Sequence, residues 1–389
     1  MKSKNFFSSI SLFGYSIFLV AYTFLFYTQF AREHNIAHLF TIMRLFALLV
    51  VIVGFFFQRY SFKELTLFLF AGLFCSFEVF QSGLLDIIIT LIMLIGLKDV
   101  SFRKIIKTDF CVRLISTVTI GLLAVEQIIP SNDFYSGAKF GFLRHSFGFF
   151  HPNTFGAYIM ILTLEFVYLG YKNKSDTMRV WIIPIAVIFL EMVSNNRTAE
   201  VSMLLYFILY LVLSLRGLNK VSTKFYKTVA AVAIAVAVAF SLSMAYLYNA
   251  SSSLWINLNH VLSSRPRMLN SIVNGIYPIK MWGQKTPLIG NLDGINFNGI
   301  NMITFVDNSY IGMLIKYGII FFIVFSIYYL YKIFTYMETD QRKVMLCWFV
   351  AIVSWAVSED KIVSIQFNTL LFIIFNNSLN TEQVENTIS

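Results

Sequence analysis

Arginines at the ends of apolar segments are the residues of this sequence best suited to chemistry. Arg197 follows one apolar run directly, in VSNNRTAEVSMLL, and Arg265 stands in LSSRPRML, within the longest polar stretch. A guanidinium presents a flat fork of donors that matches phosphate in a bidentate way, and it stays charged at physiological pH. The pair could therefore hold a diphosphate and neutralise the charge that builds on it as a bond breaks. Taken singly, each arginine could instead be a solvated residue or an anchor at lipid headgroups.

Asp307 is the candidate proton acceptor. It lies in FVDNSYIGMLIKYG, where the longest polar stretch gives way to another apolar run. A carboxylate at that position could take a proton from a substrate hydroxyl. The alternative is structural, because an Asp, Asn or Ser at 307–309 could simply cap the helix that begins there.

The stretch FLRHSFGFFHPNTFG, residues 142–156, brings several kinds of polar group together just before an apolar run. His151 is a second candidate for orienting or deprotonating a hydroxyl. His151, Pro152 and Asn153 also suit the simple start of a helix. Further candidate substrate contacts are Arg144, Arg267, Asn153, Asn308 and Tyr310.

Metal and cofactor chemistry finds little support in the sequence. His34 and His38 are four residues apart, as on one helix face, but no third ligand stands near them. The three cysteines do not pair by spacing, and no phosphate-binding, dinucleotide-binding or metalloprotease motif stands in a suitable context. We therefore expect neither a metal nor a cofactor.

The elements that position these groups must be membrane helices. Hydrophobic residues make up 58% of the 389-residue chain and charged residues 13%, and the mean hydropathy is +0.72. A soluble domain is usually about 45–50% apolar and about 25% charged. Lipid restricts spanning elements to helices or closed barrels, and continuous apolar runs of about 17–25 residues fit helices. The net charge of +10 comes from short basic clusters between those runs, so we reject nucleic acid as a partner.

Twelve apolar runs predict an all-α polytopic membrane protein with about twelve transmembrane helices. Their approximate limits are 10–30, 38–57, 64–80, 83–97, 110–128, 153–171, 178–194, 199–215, 226–247, 309–331, 343–357 and 362–379. Every second connector is short and basic, which places those connectors and both termini in the cytoplasm. No internal repeat or low-complexity linker interrupts the chain, so we expect residues 1–389 to form a single integral membrane domain.

The remaining connectors face outward, and they carry the candidate groups. The largest is an extracytoplasmic loop over residues 248–308, between the ninth and tenth spans. Within it, RPRMLNSIVNGIYPIKMW is expected to form a helix that packs on the bundle, lies on the membrane or covers a cavity. All five histidines and the arginines at 144, 197, 265 and 267 also fall on this outer side. Outer arginines oppose the usual charge rule and therefore call for an explanation.

Four short motifs resemble those of the Wzy-type polysaccharide repeat-unit polymerases, within the broader O-antigen ligase-like superfamily. GFFHPNTFGAY (148–158) resembles G-x-x-H-P-N-x-x-G at the entry to a mid-chain span, and SNNRTAEVSMLL is similar to an S-x-S-R-T/G segment. LSSRPRML…PLIGN resembles an S-G-R…P-L-F-G-x-G segment, and VDNSYIGMLIKYGII resembles a D/H-N-x-Y-L…G-x-x-G segment. Together with about twelve spans and a late outer loop, their order extends the resemblance over the whole chain.

The resemblance implies an enzyme at the outer face of the bacterial cytoplasmic membrane that joins oligosaccharide repeat units carried on undecaprenyl diphosphate. The growing polysaccharide would pass from its lipid diphosphate to a sugar hydroxyl of the next lipid-linked unit, with no nucleotide sugar, metal or other cofactor. Arg197 and Arg265 would hold the diphosphate, and Asp307 or His151 would orient or deprotonate the acceptor. A flippase and a chain-length regulator are candidate partners.

The sequence departs from this pattern in two places, and two alternative functions stay open. Ligases of the superfamily usually carry a histidine at the position of Asp307, and Leu292 stands where the Pro-Leu-x-Gly turn should have its second glycine. An O-antigen-ligase-like transferase would share the donor and differ in the acceptor. A polysaccharide or lipid-linked glycan transporter could also have twelve helices, but it should place its polar groups near mid-membrane and show two related halves.

Overall fold

The computed structural model describes residues 2–135, 141–171, 176–215, 222–287, 295–297, 300–302 and 306–376, and this part of the chain is mostly helical. The helices are α1 Lys2–Leu25, α2 Gln29–Glu33, α3 Ala37–Phe56, α4 Phe62–Ser82, α5 Asp86–Gly96, α6 Phe102–Val125, α7 Pro152–Leu169, α8 Asp176–Val180, α9 Ile182–Val193, α10 Arg197–Ser214, α11 Thr223–Tyr246, α12 Ser253–Val261, α13 Arg265–Ser271, α14 Ser309–Lys316, α15 Gly318–Tyr336 and α16 Arg342–Trp355. Two short antiparallel pairs lie in connectors: β1 Phe134–Tyr135 with β2 Leu143–Arg144, and β3 Ile295–Phe297 with β4 Ile300–Met302.

Six of the described helices, α3, α4, α6, α10, α11 and α15, are long and apolar enough to cross a membrane. Part of α1, Ser9–Leu25, and the whole of α5 are shorter apolar helices. The chain is therefore an all-α membrane-embedded protein, as its composition predicts. The number of crossings, their orientation and the limits of the large outer loop stay predictions.

The segment expected to form the twelfth span, 362–379, is not an α-helix in its described part. Thr369–Ile374 form a short 3-10 helix, and the residues on either side lie in turns. Residues 365–376 are all buried, and Asn376 Nδ2 donates to the carbonyl of Val100 at 2.7 Å. Asn and Thr side chains compete with helical backbone hydrogen bonds, and irregular backbone is tolerated at membrane depth where protein surrounds it.

The predicted tenth span, 309–331, is broken between α14 and α15 at Gly318. This glycine has a φ of +80°, a left-handed conformation that residues with a Cβ rarely adopt. A Cβ added there would lie 2.5 Å from the carbonyl carbon of Trp282 and 2.6 Å from the carbonyl oxygen of Met281. The sharp turn and the close backbone contact both require glycine.

We expect Gly318→Ala to lower the stability of the folded protein by about 1–3 kcal/mol, the usual cost of a strained backbone conformation. Thermal unfolding of the purified protein in detergent measures the change. Gly121→Ala is the matched control, because an added Cβ on this α6 residue meets no atom within 4 Å. Equal melting temperatures for the two variants would show that Gly318 is not required.

The chain folds into two compact units, each discontinuous in sequence. Unit 1 comprises Met1–Ala71, Ile89–Leu209 and Ser364–Ser389, and unit 2 comprises Gly72–Ile88 and Tyr210–Val363. In unit 1, α6 packs against α1, α7 and the 3-10 segment; in unit 2, α11 packs against α13, α14, α15 and α16. The single domain expected over residues 1–389 stays a prediction.

Candidate functional site

A backbone turn presents Arg265 at the start of α13 in unit 2. Ser263 and Ser264 both have left-handed φ values, 52° and 66°, which cost of order 1–3 kcal/mol at non-glycine residues and tend to occur at functional sites. The amide of Ser264 donates to the carbonyl of Asn259 at 2.7 Å, which holds the turn against the end of α12. Arg265 is therefore the first residue of a helix that begins directly after the strained turn at Ser263 and Ser264.

The packing of α13 fixes that helix to the bundle. Leu269 and the next two apolar residues of its face, Ile272 and Val273, join a buried cluster with Met244 of α11 and Ile315 of α14. The predicted helix in the large loop is thus confirmed from Arg265 to Ser271, and it continues into one π-helical turn, Ile272–Ile276. Of the roles considered for it, the structure favours packing on the bundle.

The guanidinium of Arg265 keeps hydrogen-bonding capacity that the protein does not use. Its Nη2 lies 3.7 Å from Oδ2 of Asp307, and its Nη1 donates to the carbonyl of Leu262 at a long 3.4 Å. Its Nε is buried and has no hydrogen-bond partner. The side chain is only 11% exposed, so an anion that reached it would meet a partly desolvated, unsatisfied donor.

Asp307 does not cap α14, because its neighbour Asn308 does. The side-chain oxygen of Asn308 accepts from the amide of Ile311 at 2.9 Å, and its Nδ2 donates to Ser241 Oγ and to the carbonyl of Val357 at 2.8 Å each. Asn308 is fully buried, whereas the side chain of Asp307 is 43% exposed. The capping alternative thus applies to Asn308, and the carboxylate of Asp307 is left to face Arg265.

Ser309 holds the connector that follows α16, which carries Glu359 and Asp360, beside Arg265 and Asp307. Its amide donates to the carbonyl of Ala356 at 2.8 Å, and its hydroxyl accepts from the amides of Lys361 and Ile362 at 2.9 and 3.0 Å. The same hydroxyl donates to the carbonyl of Glu359. The connector after α16 is thereby held against the start of α14. Six charged residues form what we call the charged cluster: Arg265, Asp307, Lys316, Glu359, Asp360 and Lys361.

Two carboxyls of the charged cluster, Asp307 and Glu359, have raised pKa values. The side chain of Asp307 is only partly exposed, and the surrounding protein removes enough water from the carboxyl to raise its pKa, although Arg265 opposes that shift. Burial, together with the charge of Asp307, raises the pKa of Glu359 to about 7. A carboxyl that titrates near neutrality can take up a proton and return it. Sequence reasoning missed Glu359; the signal was an acidic pair, Glu359 and Asp360, in a short connector on the predicted outer side.

Tyr310 and Arg267, two further candidate substrate contacts, are not members of the charged cluster. Tyr310 is 1% exposed, and its hydroxyl donates to the carbonyl of Val353 at 2.9 Å. The structure therefore favours a positioning role for Tyr310, as for Asn308, over the expected substrate contact. Arg267 is exposed, and its backbone amide donates to Asn259 Oδ1 at 3.1 Å.

In unit 1, the stretch 142–156 joins the ends of several helices. The amide of Gln29 donates to the carbonyl of Gly148, and the amide of Phe150 donates to the carbonyl of Tyr27, both at 2.9 Å. The amide of His145 donates to the carbonyl of Val193 at 3.0 Å. The end of α1, the start of α7 and the end of α9 therefore meet at one end of this unit.

Arg144 connects two of those helix ends. Its Nε donates to the carbonyl of Ser194 at 2.8 Å, and its Nη2 donates to Oδ1 of Asn153 at 2.6 Å. The guanidinium also lies over the ring of Phe134, 5.2 Å from its centroid. Arg144 and Asn153, both expected to contact substrate, hold each other and the start of α7 in place.

We expect Arg144→Ala to reduce stability by about 1.5–3 kcal/mol, the range for hydrogen bonds made by a charged group. Thermal unfolding in detergent measures this loss. Arg59→Ala, an exposed arginine of the same unit, should leave the melting temperature almost unchanged. If Arg144→Ala behaved like Arg59→Ala, the two hydrogen bonds would contribute nothing to the fold.

His151 caps α7 with its ring. Its Nδ1 accepts from the amide of Asn153 at 3.0 Å, and Pro152 follows as the first helical residue. A neutral imidazole that accepts through Nδ1 carries its proton on Nε2, so it can donate to a substrate oxygen but cannot deprotonate it from that side. The geometry thus supports an orienting role for His151 and disfavours its expected role as a base.

Arg197 is the first residue of α10, and its side chain is exposed. Asn196 precedes it and caps the helix, since its Oδ1 accepts from the amide of Ala199 at 3.3 Å. The Nδ2 of Asn196 also donates to the carbonyl of Asn153 at 2.9 Å. Gly156 makes room for this amide, because a Cβ there would lie 2.1 Å from Asn196 Nδ2. These contacts fix the backbone that carries Arg197 and leave its side chain outside the packing.

A histidine–carboxylate pair that the sequence did not reveal lies in the same segment. Nδ1 of His145 is 2.7 Å from Oδ2 of Asp133, and the imidazole is 42% exposed. Burial alone would raise the pKa of Asp133, but hydrogen bonds from Ser131, Ser146 and His145 hold the pKa below its usual value. The spacing of twelve residues across a loop gave no local signal for this pair.

No known protein family, curated protein or solved structure matches the chain. Within the residues that the structure describes, no three His, Cys, Asp or Glu side chains are grouped so that they could hold a metal ion. Function must therefore be inferred from the geometry of the groups described above and from the motifs that carry them.

Proposed function

We propose that this protein is a membrane polysaccharide polymerase that joins oligosaccharide repeat units carried on undecaprenyl diphosphate. The observation that carries the proposal is the meeting of Arg265 and Asp307 at a constrained corner between α12 and α13 and the start of α14. These two residues lie in two of the motifs that resemble Wzy-type polymerases. Their proximity gives one place where a diphosphate donor and a hydroxyl proton could both be bound.

In the proposed reaction, the bond between the anomeric carbon of the growing glycan and its lipid diphosphate breaks. A hydroxyl of the next lipid-linked unit forms the new glycosidic bond, and its proton passes to a carboxylate. The lipid diphosphate leaves with the electron pair of the broken bond. No nucleotide sugar is consumed, since the donor is already activated by its diphosphate.

Three members of the charged cluster have a role in this scheme: Arg265, Asp307 and Glu359. Arg265 donates to the leaving diphosphate, where its unsatisfied donors would stabilise developing negative charge. Asp307 orients the acceptor hydroxyl, and Glu359, whose pKa is raised to about 7, accepts its proton. Arg197, exposed at the start of α10 in unit 1, stays a predicted phosphate contact, and His151 of the same unit stays a predicted orienting donor.

The proposal also includes a location and partners. The proposed substrate-binding residues would face outward from the bacterial cytoplasmic membrane. The chain would cross the membrane about twelve times and have both termini in the cytoplasm. The polymerase would receive its substrate from a flippase and act beside a chain-length regulator. The short basic connectors support this orientation, because cytoplasmic loops carry the excess of Lys and Arg.

Polymer formation should rise with pH through about 7, because Glu359 must lose its proton to act as a base and its pKa is raised to about 7. Glu359→Gln should remove this rise and lower the rate. The contribution of Glu359 to the free energy of unfolding should change with pH in the opposite direction. Between the ordinary glutamate pKa of about 4.3 and the raised pKa of the folded state, the folded protein binds more protons than the unfolded chain. The free energy of unfolding therefore falls as the pH rises through this range. An unchanged pH–rate profile in Glu359→Gln would exclude Glu359 as the base.

The proposed activity is tested with purified protein and a lipid-linked repeat unit, whose products are separated on a gel. The wild-type protein should give a ladder of increasing chain length. Single transfer to a foreign lipid acceptor, without a ladder, would instead indicate a ligase-like transferase. A protein that forms no glycosidic bond with any lipid-linked unit offered would contradict the proposal.

One observation favours the second candidate, a transporter of lipid-linked glycans. The paired side chains Asp109 and Arg113 lie inside α6, one of the helices able to span the membrane. Buried charges of this kind are common in transport pathways. They are not part of the charged cluster, however, and a transporter does not require the pairing of Arg265 with Asp307.

A further inference from the structure

Two carboxylates and one guanidinium lie inside the helices of unit 1. Asp109 and Arg113 stand one turn apart on α6, and Glu165 lies on α7, which packs against α6. Their exposures are 0%, 1% and 0%. Ionisable groups within membrane-embedded helices are costly to bury, so they are functional candidates by default. None of the three takes part in the reaction proposed above.

The guanidinium of Arg113 forms an ion pair with the carboxyl of Asp109. Its Nε and Nη2 donate to Oδ1 and Oδ2 of Asp109 at 2.7 and 3.0 Å, and the hydroxyl of Tyr15 on α1 donates to Oδ2 as well. The guanidinium also lies over the ring of Tyr158, 4.9 Å from its centroid. Asp109 thus forms a bidentate pair with Arg113, and a carboxylate and a guanidinium paired in this way are neutral as a whole.

Glu165 has no corresponding cation. No donor meets its carboxyl oxygens with full hydrogen-bond geometry, but the carboxyl of Asp109 and the hydroxyl of Thr369 lie close enough to interact with it. The polar groups that face Glu165 are Asp109 and Arg113 from α6, Thr369 from the 3-10 segment and Tyr15 from α1.

The charge balance of the group depends on the state of Glu165. An ionised Glu165 would add an uncompensated negative charge beside Asp109, far from water, and a buried charge of that kind is strongly unfavourable. A protonated Glu165 would instead leave the group neutral. Its O–H could then donate to a neighbouring oxygen, which would satisfy both partners.

We propose that Glu165 holds a proton in the interior of unit 1, so that Asp109, Arg113 and Glu165 form a proton-binding site. The ligand is the proton itself, carried on a carboxyl oxygen of Glu165 and donated toward Asp109 or Thr369. Water that entered between α6, α7 and the 3-10 segment would solvate the carboxylate and release the proton. Proton occupancy is therefore linked to the closed packing of these helices.

Infrared spectroscopy of the full-length protein in lipid bilayers tests this assignment without reference to any activity. The difference spectrum between wild type and Glu165→Gln should contain the C=O stretch of a protonated carboxylic acid, and this band should shift in D₂O. The band should persist at neutral and mildly alkaline pH. Glu126→Gln, which changes an exposed carboxylate at the end of α6, should leave it in place.

Two results would overturn the proposal. The first is a wild-type spectrum that shows no carboxylic acid band lost in Glu165→Gln. The second is a band that disappears when Na⁺ is added, since the site would then bind a monovalent cation in place of a proton. If Glu165→Gln did not fold, Glu165→Asp would serve, because it keeps an acid and should shift the band without removing it.

Discussion

Arg113→Met should destabilise the protein by about 3–5 kcal/mol, the usual cost of removing one partner of a buried ion pair. Methionine fills a similar volume and belongs in an apolar helix, so the loss would come from the charge that stays behind. Asp109, which is 0% exposed, would lose the two charge-assisted hydrogen bonds from Arg113 and keep the one from Tyr15. A buried carboxylate without its cation is far less favourable than the intact pair.

The double variant Asp109→Asn with Arg113→Met separates this effect from a packing defect. It removes both charges, so it should recover most of the stability that Arg113→Met loses. Thermal unfolding of both variants in the same detergent gives the comparison. A double variant as unstable as Arg113→Met would show that the shape of Arg113, and not its pairing with Asp109, maintains the fold.

Arg265→Ala should lower the rate of polymer formation by on the order of 10²–10³, as expected when one donor to a developing negative charge is removed. The expectation rests on the buried, unpartnered Nε and the long contacts of Nη1 and Nη2, which leave donors for the diphosphate. Arg265→Lys should recover only part of the rate, because an ammonium restores the charge but not the planar fork.

Lys280→Ala is the control for this series, since it removes an exposed cation from the same predicted outer loop and should leave the rate nearly unchanged. Initial rates of chain extension with a lipid-linked repeat unit provide the measurement. A rate in Arg265→Ala close to that of Lys280→Ala would remove Arg265 from the diphosphate site and leave the polymerase activity itself to be explained by other residues.

Helices were predictable from the sequence because a bilayer demands long apolar runs whose backbone bonds are satisfied internally. Predictions failed where tertiary contacts decide the backbone. The break at Gly318 depends on a close approach to Trp282, and the turn at Thr369–Ile374 depends on burial inside unit 1. A hydropathy profile cannot predict either contact, because it depends only on the residues of the local segment.

The candidate site was predictable by residue type and only partly by role. Arg265 and Asp307 follow from the chemistry of guanidinium and carboxylate at the ends of apolar runs. The sequence alone could not show that Asn308 is the helix cap, since Asp307, Asn308 and Ser309 are all of residue types that can cap a helix. Glu359 could not be assigned either, because its raised pKa depends on how Ser309 holds the connector near Asp307.

Asp109 and Arg113 show a different limit. Both residues lower the hydropathy at the start of α6, and a span drawn from residue 110 therefore leaves Asp109 outside the membrane. The i,i+4 spacing that allows their bidentate pairing was nevertheless visible in DFCVR. Opposite charges at this spacing within an apolar run are thus a usable signal for a buried pair.

The most direct test of the polymerase proposal counts lipid diphosphate released against glycosidic bonds formed, with the protein in liposomes that contain the lipid-linked repeat unit. Glycosyl transfer from a lipid diphosphate donor predicts one released undecaprenyl diphosphate for every bond, with a growing ladder of products. Movement of intact lipid-linked units across the bilayer, with no release and no new bonds, would contradict the polymerase and establish the transporter.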